Sequence, residues 1–342
     1  MMDFELAQDD LELVHALQIA PRLSWTELGK VLGRHPATLS NRWNRLHSQR
    51  VVWILGHLGG RPQMHCTVLL DVEVDPRLMD ATLRALCRIP EVNSVDSSSR
   101  HADFRLTCIA PDWLSMSHRV LPKLWAVEGV LRIKASVCTR VYASGDQWRL
   151  DVLSPRQEDE LRALAPAPQV SVGTIPAALW PCLEVLQVNG RATARDIAQS
   201  TGQHPATAAR LLNAALSAGM VYIRCELATD YSGSPLLVQW FTKVPPGMED
   251  RIAQFLKTFR SLRLCAATTG EANLTFNMQL HEPSEIASIE RKLVAQFPQL
   301  QILETCVGTR SYKRMGWLLD ADGRFNRSPD SIESSYRSRP HS

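Results

Sequence analysis

At 342 residues the chain is too long for a single core, and an apolar fraction of 45% supplies material for several ordinary globular ones. The formal net charge of +3 argues neither for nor against a polyanionic partner, so the placement of charge matters more than its sum. The acidic N-terminus, MMDFELAQDD, lacks the basic start of a secretory signal, and no apolar run approaches a membrane span; the expected location is the cytoplasm.

Leu11, Val14 and Leu17 define a first helix. Trp25, Leu28, Val31 and Leu32 give a second helix an apolar face at three-to-four spacing, and Gly33 and Arg34 turn the chain. His35 then stands at a cap position, with Pro36 at the first helical position, where its missing N–H costs nothing. Leu39, Trp43 and Leu46 continue the stripe along a third helix, whose opposite face carries Thr38, Asn41, Arg42 and Arg45. This is the helix-turn-helix pattern, with a second helix sized for a DNA major groove. Between Arg22 and Arg61 the cations Arg22, Lys30, Arg34, Arg42, Arg45, Arg50 and Arg61 face only Glu27, an excess suited to phosphates.

A Gly/Pro-rich joint at 56–62 ends this head. Strand-like and helix-like stretches then alternate: 66–74 (strand), 76–87 (helix), 92–96 and 104–110 (strands), 112–125 (helix) and 130–142 (strand). The order is βαββαβ, a ferredoxin-like body. Residues 146–175, rich in Pro, Ala and charge, read as a linker, and the Ser/Arg/Pro-rich tail 321–342 as disordered.

The chain is internally repeated. HPAT occurs at 35–38 and at 204–207, an offset of 169 that also aligns Leu17 with Leu186, Arg22 with Arg191, Gly33 with Gly202 and Val52 with Val221. Farther on the offset is 170, with Pro76 on Pro246 and Leu86 on Leu256. The expected domains are a first head at 1–56, a first body at 63–145, the linker, a second head at 176–231, a second body at 235–320 and the tail. The fold class is α+β, two repeats of a three-helix, winged-type head plus a βαββαβ body.

The stretch DLELVHALQIAPRLSWTELGKVLGRHPATLSNRWNRLHSQRVV and the segment ATTGEANLTFNM at 267–278 resemble the Lrp/AsnC (feast/famine) transcription regulators. The latter is similar to that family's T-G-x-[YF]-D-L turn between the second and third body strands. The resemblance implies a non-enzymatic regulator that binds double-stranded DNA without a resident cofactor. Its effector (RAM) domains would take a small, amino-acid-like metabolite and pair through their sheets. One chain could then form an internal pseudo-dimer, with further homo-oligomers. Tandem siroheme decarboxylases share the architecture and supply the rival reading; Asn273-Leu274-Thr275-Phe276 partly matches their strand, but the turn before it lacks His and Arg.

The expected DNA contacts are Arg34, Pro36, Thr38, Ser40, Asn41, Arg42, Arg45 and Arg50 in the first head, with Thr207 and Arg210 in the second. At the positions of Arg42 and Arg45 the second head has Leu211 and Ala214, so the first head is expected to dominate binding. The effector candidates are Ser98, Ser99, Arg100, His101 and Asp103 in one turn, and Thr268, Thr269, Gly270, Glu271 and Asn273 in the other. The eight cysteines form no CxxC pair and no zinc-spaced cluster, so reduced thiols and no metal are expected.

Overall fold

The computed structural model describes residues 5–58, 65–99, 102–145, 148–165 and 176–327. In chain order the first head holds α1 (Gln8–Ile19), α2 (Trp25–Leu32), α3 (Pro36–Ser48) and β1 (Val52–Leu58). The first body holds β2 (Cys66–Val74), α4 (Met79–Arg88), β3 (Val92–Ser97), β4 (Phe104–Ala110), α5 (Trp113–Ser115), α6 (Leu121–Trp125) and β5 (Val130–Ala143). A π-helical turn, Met116–Val120, joins α5 to α6. Next come α7 (Pro155–Leu164) and the second head: α8 (Trp180–Val188), α9 (Ala194–Thr201), α10 (Pro205–Ser217) and β6 (Val221–Leu227). The second body comprises β7 (Leu236–Lys243), α11 (Glu249–Leu256), β8 (Leu262–Thr268), β9 (Leu274–Leu280), α12 (Ser284–Gln296), β10 (Gln301–Gly308), β11 (Ser311–Arg314) and β12 (Trp317–Leu319), and β13 (Phe325–Arg327) follows.

The local signals in both heads are met. His35 and His204 accept hydrogen bonds from Ala37 N and Ala206 N, capping α3 and α10, with Pro36 and Pro205 in the first turn. Ser24 and Thr193 form reciprocal capping boxes with Glu27 and Asp196 at the starts of α2 and α9.

The chain condenses into two units that cut across the expected domain order. One unit gathers both heads with residues 149–232; the other gathers both bodies. Within the head unit β1 and β6 pair antiparallel, with Leu55 opposite Arg224 and Val52 opposite Leu227. Leu55 and Arg224 are repeat equivalents, so this register has a pseudo-two-fold axis at its centre. Strand β1, which follows the helix-turn-helix, thus joins one head to its copy. Arg22 donates to Gly190 O and Ala192 O, while Arg191 donates to Pro21 O and Leu23 O, each at 2.7 Å. These acceptors are also repeat equivalents, as an isologous interface requires. Burial depresses the pKa of both guanidiniums below the ordinary arginine value. Gly190 sits where a Cβ would come within 2.6 Å of Ile54 Cγ2, so only glycine fits this approach of α8's end to β1.

The body unit repeats the symmetry in its sheet, ordered β10-β7-β9-β8-β5-β2-β4-β3-β11-β12. The end of β5 pairs with β8 of the other body, and β11, the repeat of that end, pairs with β3. The two bodies therefore pair within one chain. Their cores remain separate, one around Val68, Leu70, Phe104, Leu106 and Leu124, the other around Trp240, Ile252, Phe276, Met278 and Leu293.

Two expectations are corrected. The linker at 146–175 contains α7, capped by Ser154 in a box with Gln157, and Leu150, Leu153 and Leu161 are buried. Leu153 N and Val152 N reach His15 Nδ1 on α1, so this segment is part of the head unit. The tail expected to be disordered, 321–342, begins with structure: Phe325 N donates to Arg50 O, and its ring meets Trp53 edge-on at 5.5 Å. Residues 328–342 and the linker's 166–175 lie outside the described residues.

Candidate nucleic-acid interface

Helix α3 buries Leu39 and Leu46 and exposes Ala37, Thr38, Asn41, Asn44, Arg45 and Ser48. Positions 37, 41, 44 and 48, with 38, 41 and 45, are helical neighbours, so these side chains make one outward face. Thr38, Asn41 and Asn44 make no side-chain hydrogen bond within the described residues, and Ser48 Oγ bonds Arg45 O at 2.8 Å. Pro36 and Ser40 are half-buried at the edge of this face.

Three of the arginines expected to touch DNA bond carboxylates within the first head. Arg42 reaches Asp10 at 2.8 Å and Asp9 at 3.0 Å; Arg45 reaches both oxygens of Asp10 at 2.6 and 2.7 Å; Arg34 reaches Asp9 at 3.0 Å. The Asp10 side chain is 1% exposed, and these bonds fasten the start of α1 to α3. Burial pushes the Asp10 carboxyl upward, but hydrogen bonds from Arg45, Arg42 and Ala7 N outweigh it and hold it below the ordinary aspartate value. This corrects the count of free cations around the helix: Arg42 and Arg45 are first of all braces. Arg50 occupies a left-handed turn, φ 60°, where the second head has Gly219, φ 64°.

Helix α10 presents the corresponding face. Arg210, Asn213, Ala214 and Ser217 are exposed, and Thr207 is half-buried. At the repeat positions of Asp9, Asp10, Arg42 and Arg45 stand Ala178, Leu179, Leu211 and Ala214. Leu179 is 1% exposed within the second head's core, against which Leu211 packs. The Asp10–Arg42 part of the brace is thus replaced by apolar packing, and Asp9 and Arg45 by exposed alanines. Asn44, Ser48, Asn213 and Ser217 were not among the expected contacts, although their three-and-four spacing from Asn41 and Arg210 was available as a signal.

The effector turns lie at the seam of the two bodies. Ser99 N donates to Val307 O, and Val307 N returns a bond to Ser99 Oγ at 3.0 Å. Thr269 and Val137 repeat this exchange, Thr269 N to Val137 O and Val137 N to Thr269 Oγ1. Asp103 accepts from Val74 N, and Asn273 accepts from Val244 N while donating to Val244 O, each at 2.8 Å. Ser98 Oγ contacts Cys306 Sγ, and Thr268 Oγ1 donates to Ala272 O. Much of the polar capacity expected for a ligand therefore pins strands. Gly270, φ 113°, and Glu271 are exposed; Arg100 and His101 lie outside the described residues.

Beneath the first turn, the buried Arg105 donates to Gln239 Oε1 and contacts Cys306 Sγ at 2.6 Å, with its Nε 3.6 Å from Asp71. Burial raises the Cys306 thiol, but Arg105 and the serine contacts prevail and lower it. Among the described residues no His, Cys, Asp and Glu group could hold a metal ion, and no helix is long and apolar enough to cross a membrane.

Comparison with known proteins fits this construction. Residues 8–47 match the AsnC-type helix-turn-helix domain, and residues 67–148 match the Lrp/AsnC ligand binding domain. The first head and first body thus carry Lrp/AsnC-type domains, and the second head and body repeat their fold. The fold of the tandem resembles that of the siroheme decarboxylase NirDL, with 14% identity, 97% of each chain covered and a TM-score of 0.61. NirDL in complex with an iron-uroporphyrin III analogue gives the same TM-score at 98% of that chain. A Neisseria meningitidis transcriptional regulator in complex with L-Met aligns over 40% of this chain and 90% of its own, at 21% identity and a TM-score of 0.36. No curated protein matches in sequence.

Proposed function

We propose that the chain is a sequence-specific, DNA-binding transcriptional regulator whose paired bodies respond to a small, amino-acid-like metabolite. The observation that carries this reading is the uncommitted polar face of α3, with Thr38, Asn41 and Asn44 presented to solvent on a braced helix-turn-helix. Amide and hydroxyl side chains at this spacing read base edges, while flanking backbone amides and cations hold phosphates. The test is selection of genomic fragments by the purified full chain, followed by salt-dependent binding. The expected result is an enriched site, affinity that falls with salt and a roughly 10-fold or greater loss for Asn41→Ala. Absence of any enriched fragment would remove the reading.

The full-length likeness to NirDL favours a second reading, an enzyme acting on an iron porphyrinoid. That chemistry needs cationic and proton-donating side chains beside the macrocycle's carboxylates. Arg100 and His101 would supply them, yet their repeat positions carry Gly270 and Glu271, so a second equivalent site lacks them. Anaerobic incubation with siroheme separates the readings. The expected result is no change in the porphyrinoid spectrum and no decarboxylated product; product formation abolished by His101→Ala would establish the enzyme instead.

A further inference from the structure

Resting on the DNA-binding reading above, we infer that the second head also reads DNA, and that the operator's half-sites differ at the base pair met by Asn41 and Arg210. Three observations carry this. First, the heads pair about a pseudo-two-fold axis, in the β1–β6 register and in the reciprocal Arg22 and Arg191 bonds, so α3 and α10 are symmetry equivalents within the head unit. Such pairs address two half-sites on one face of a duplex. Second, the arginines missing from α10 are those that brace α1 in the first head, and their carboxylate partners are missing with them. Their loss removes that brace and, at Arg45, one partly exposed side chain of the outward face. Third, the rest of that face is retained: Thr38, Asn44 and Ser48 correspond to Thr207, Asn213 and Ser217.

The difference at the centre of the face is Asn41 against Arg210, both exposed and neither hydrogen-bonded through its side chain within the described residues. A carboxamide matches the N6/N7 edge of adenine, whereas a guanidinium matches the O6/N7 edge of guanine. One chain therefore specifies an asymmetric site, with adenine in the half facing α3 and guanine at the mirrored position facing α10. Polarity on DNA follows, because the two halves of the molecule cannot exchange places without losing a matched pair.

The experiment is sequence selection from random duplexes with the full-length wild type, Asn41→Arg, Arg210→Asn and the double exchange. The wild type is expected to give an A/G pair of half-sites, Arg210→Asn a symmetric A/A site, Asn41→Arg a symmetric G/G site and the double exchange the same A/G duplex bound in the reversed orientation. Each single variant should lose about 10- to 100-fold on the wild-type site and regain affinity on its own, whereas the double exchange should keep it. Enrichment of a site with only one informative half, unchanged by Arg210→Asn, would overturn the inference while leaving the regulator standing. Failure of the wild type to enrich any site would remove both.

Discussion

In the first head Asp9 and Asp10 reach Arg34, Arg42 and Arg45 to fasten α1 against α3. In the second, Leu179 lies in the apolar core with Leu211 packed against it, at the repeat positions of Asp10 and Arg42, while Ala178 and Ala214 are exposed. Duplicate folds have thus solved one joint twice. Desolvating a buried pair costs nearly what its attraction returns, so a packed apolar set of similar volume is an equal substitute. Losing one partner alone is different, since it strands a charge. The comparison teaches that arginine on a recognition helix is poor evidence for a DNA contact until its neighbours are known.

The largest effect is expected from breaking the first joint on one side. Asp10→Ala leaves Arg42 half-buried with Asp9 as its one remaining carboxylate partner and takes away both bonds of Arg45 to Asp10; it should destabilise the head unit by about 2 kcal/mol, less than a fully buried pair because Arg45 is partly in water and Asp9 remains. Urea unfolding of the full chain measures it; a change below about 1 kcal/mol would mean that the brace carries little. Converting the joint wholesale, with Asp9→Ala, Asp10→Leu, Arg42→Leu and Arg45→Ala together, should return stability to within about 1 kcal/mol of wild type. The same variant should keep most of its DNA affinity. A collapse to non-specific binding would restore Arg42 and Arg45 to the base-reading set.

A smaller effect tests the other end of the helix. Arg50 holds φ 60° where Gly219 holds φ 64° in the copy, and both follow the last turn with bonds back to it, Arg50 N to His47 O and Gly219 N to Leu216 O. A side chain in the left-handed region carries a steric cost that glycine lacks. Arg50→Gly should stabilise the first head by about 0.5–1 kcal/mol, and Gly219→Ala should destabilise the second by a similar amount, read from thermal unfolding midpoints.

Much of this architecture was legible because duplication preserves spacing: HPAT and its 169-residue offset disclosed two units, and alternation disclosed two βαββαβ bodies. Ser154-Pro155-Arg156-Gln157 also carried a legible helix start, masked by a composition that reads as linker. The pairing of β1 with β6 was hidden, because a lone strand after a helix-turn-helix does not name its partner. The exposed polar face of α3 was legible in its helical spacing, but the intramolecular partners of its arginines were not. Arg42 and Arg45 lie 32 and 35 residues from Asp10, and charge alone does not distinguish a carboxylate partner from a phosphate. The concerted change at both ends of the pair in the copy was the available signal. In the effector turns, the residues matching the family pattern also serve as strand pins, which no single turn reveals.

The subtlest consequence of the two joints is in acid. The Asp10 carboxyl is held below its ordinary value of 3.8, so the native head binds its proton less readily than the unfolded chain does. The stability it contributes is complete above the unfolded value and is lost as pH falls through the lower native one. The second head has leucine at this place. The capping carboxylates Glu27 and Asp196 are both lowered by bonds to Ser24 and Thr193, so they act alike in the two heads and cancel from the comparison. Acidification from pH 5 toward and below 3.8 should therefore erode hydrogen-exchange protection of α1 and α3 before that of α8 and α10, after correction for intrinsic rates. The fourfold conversion of the brace should abolish this difference. Equal loss in both heads of the wild type would show that the carboxylate brace is not what sets their acid response.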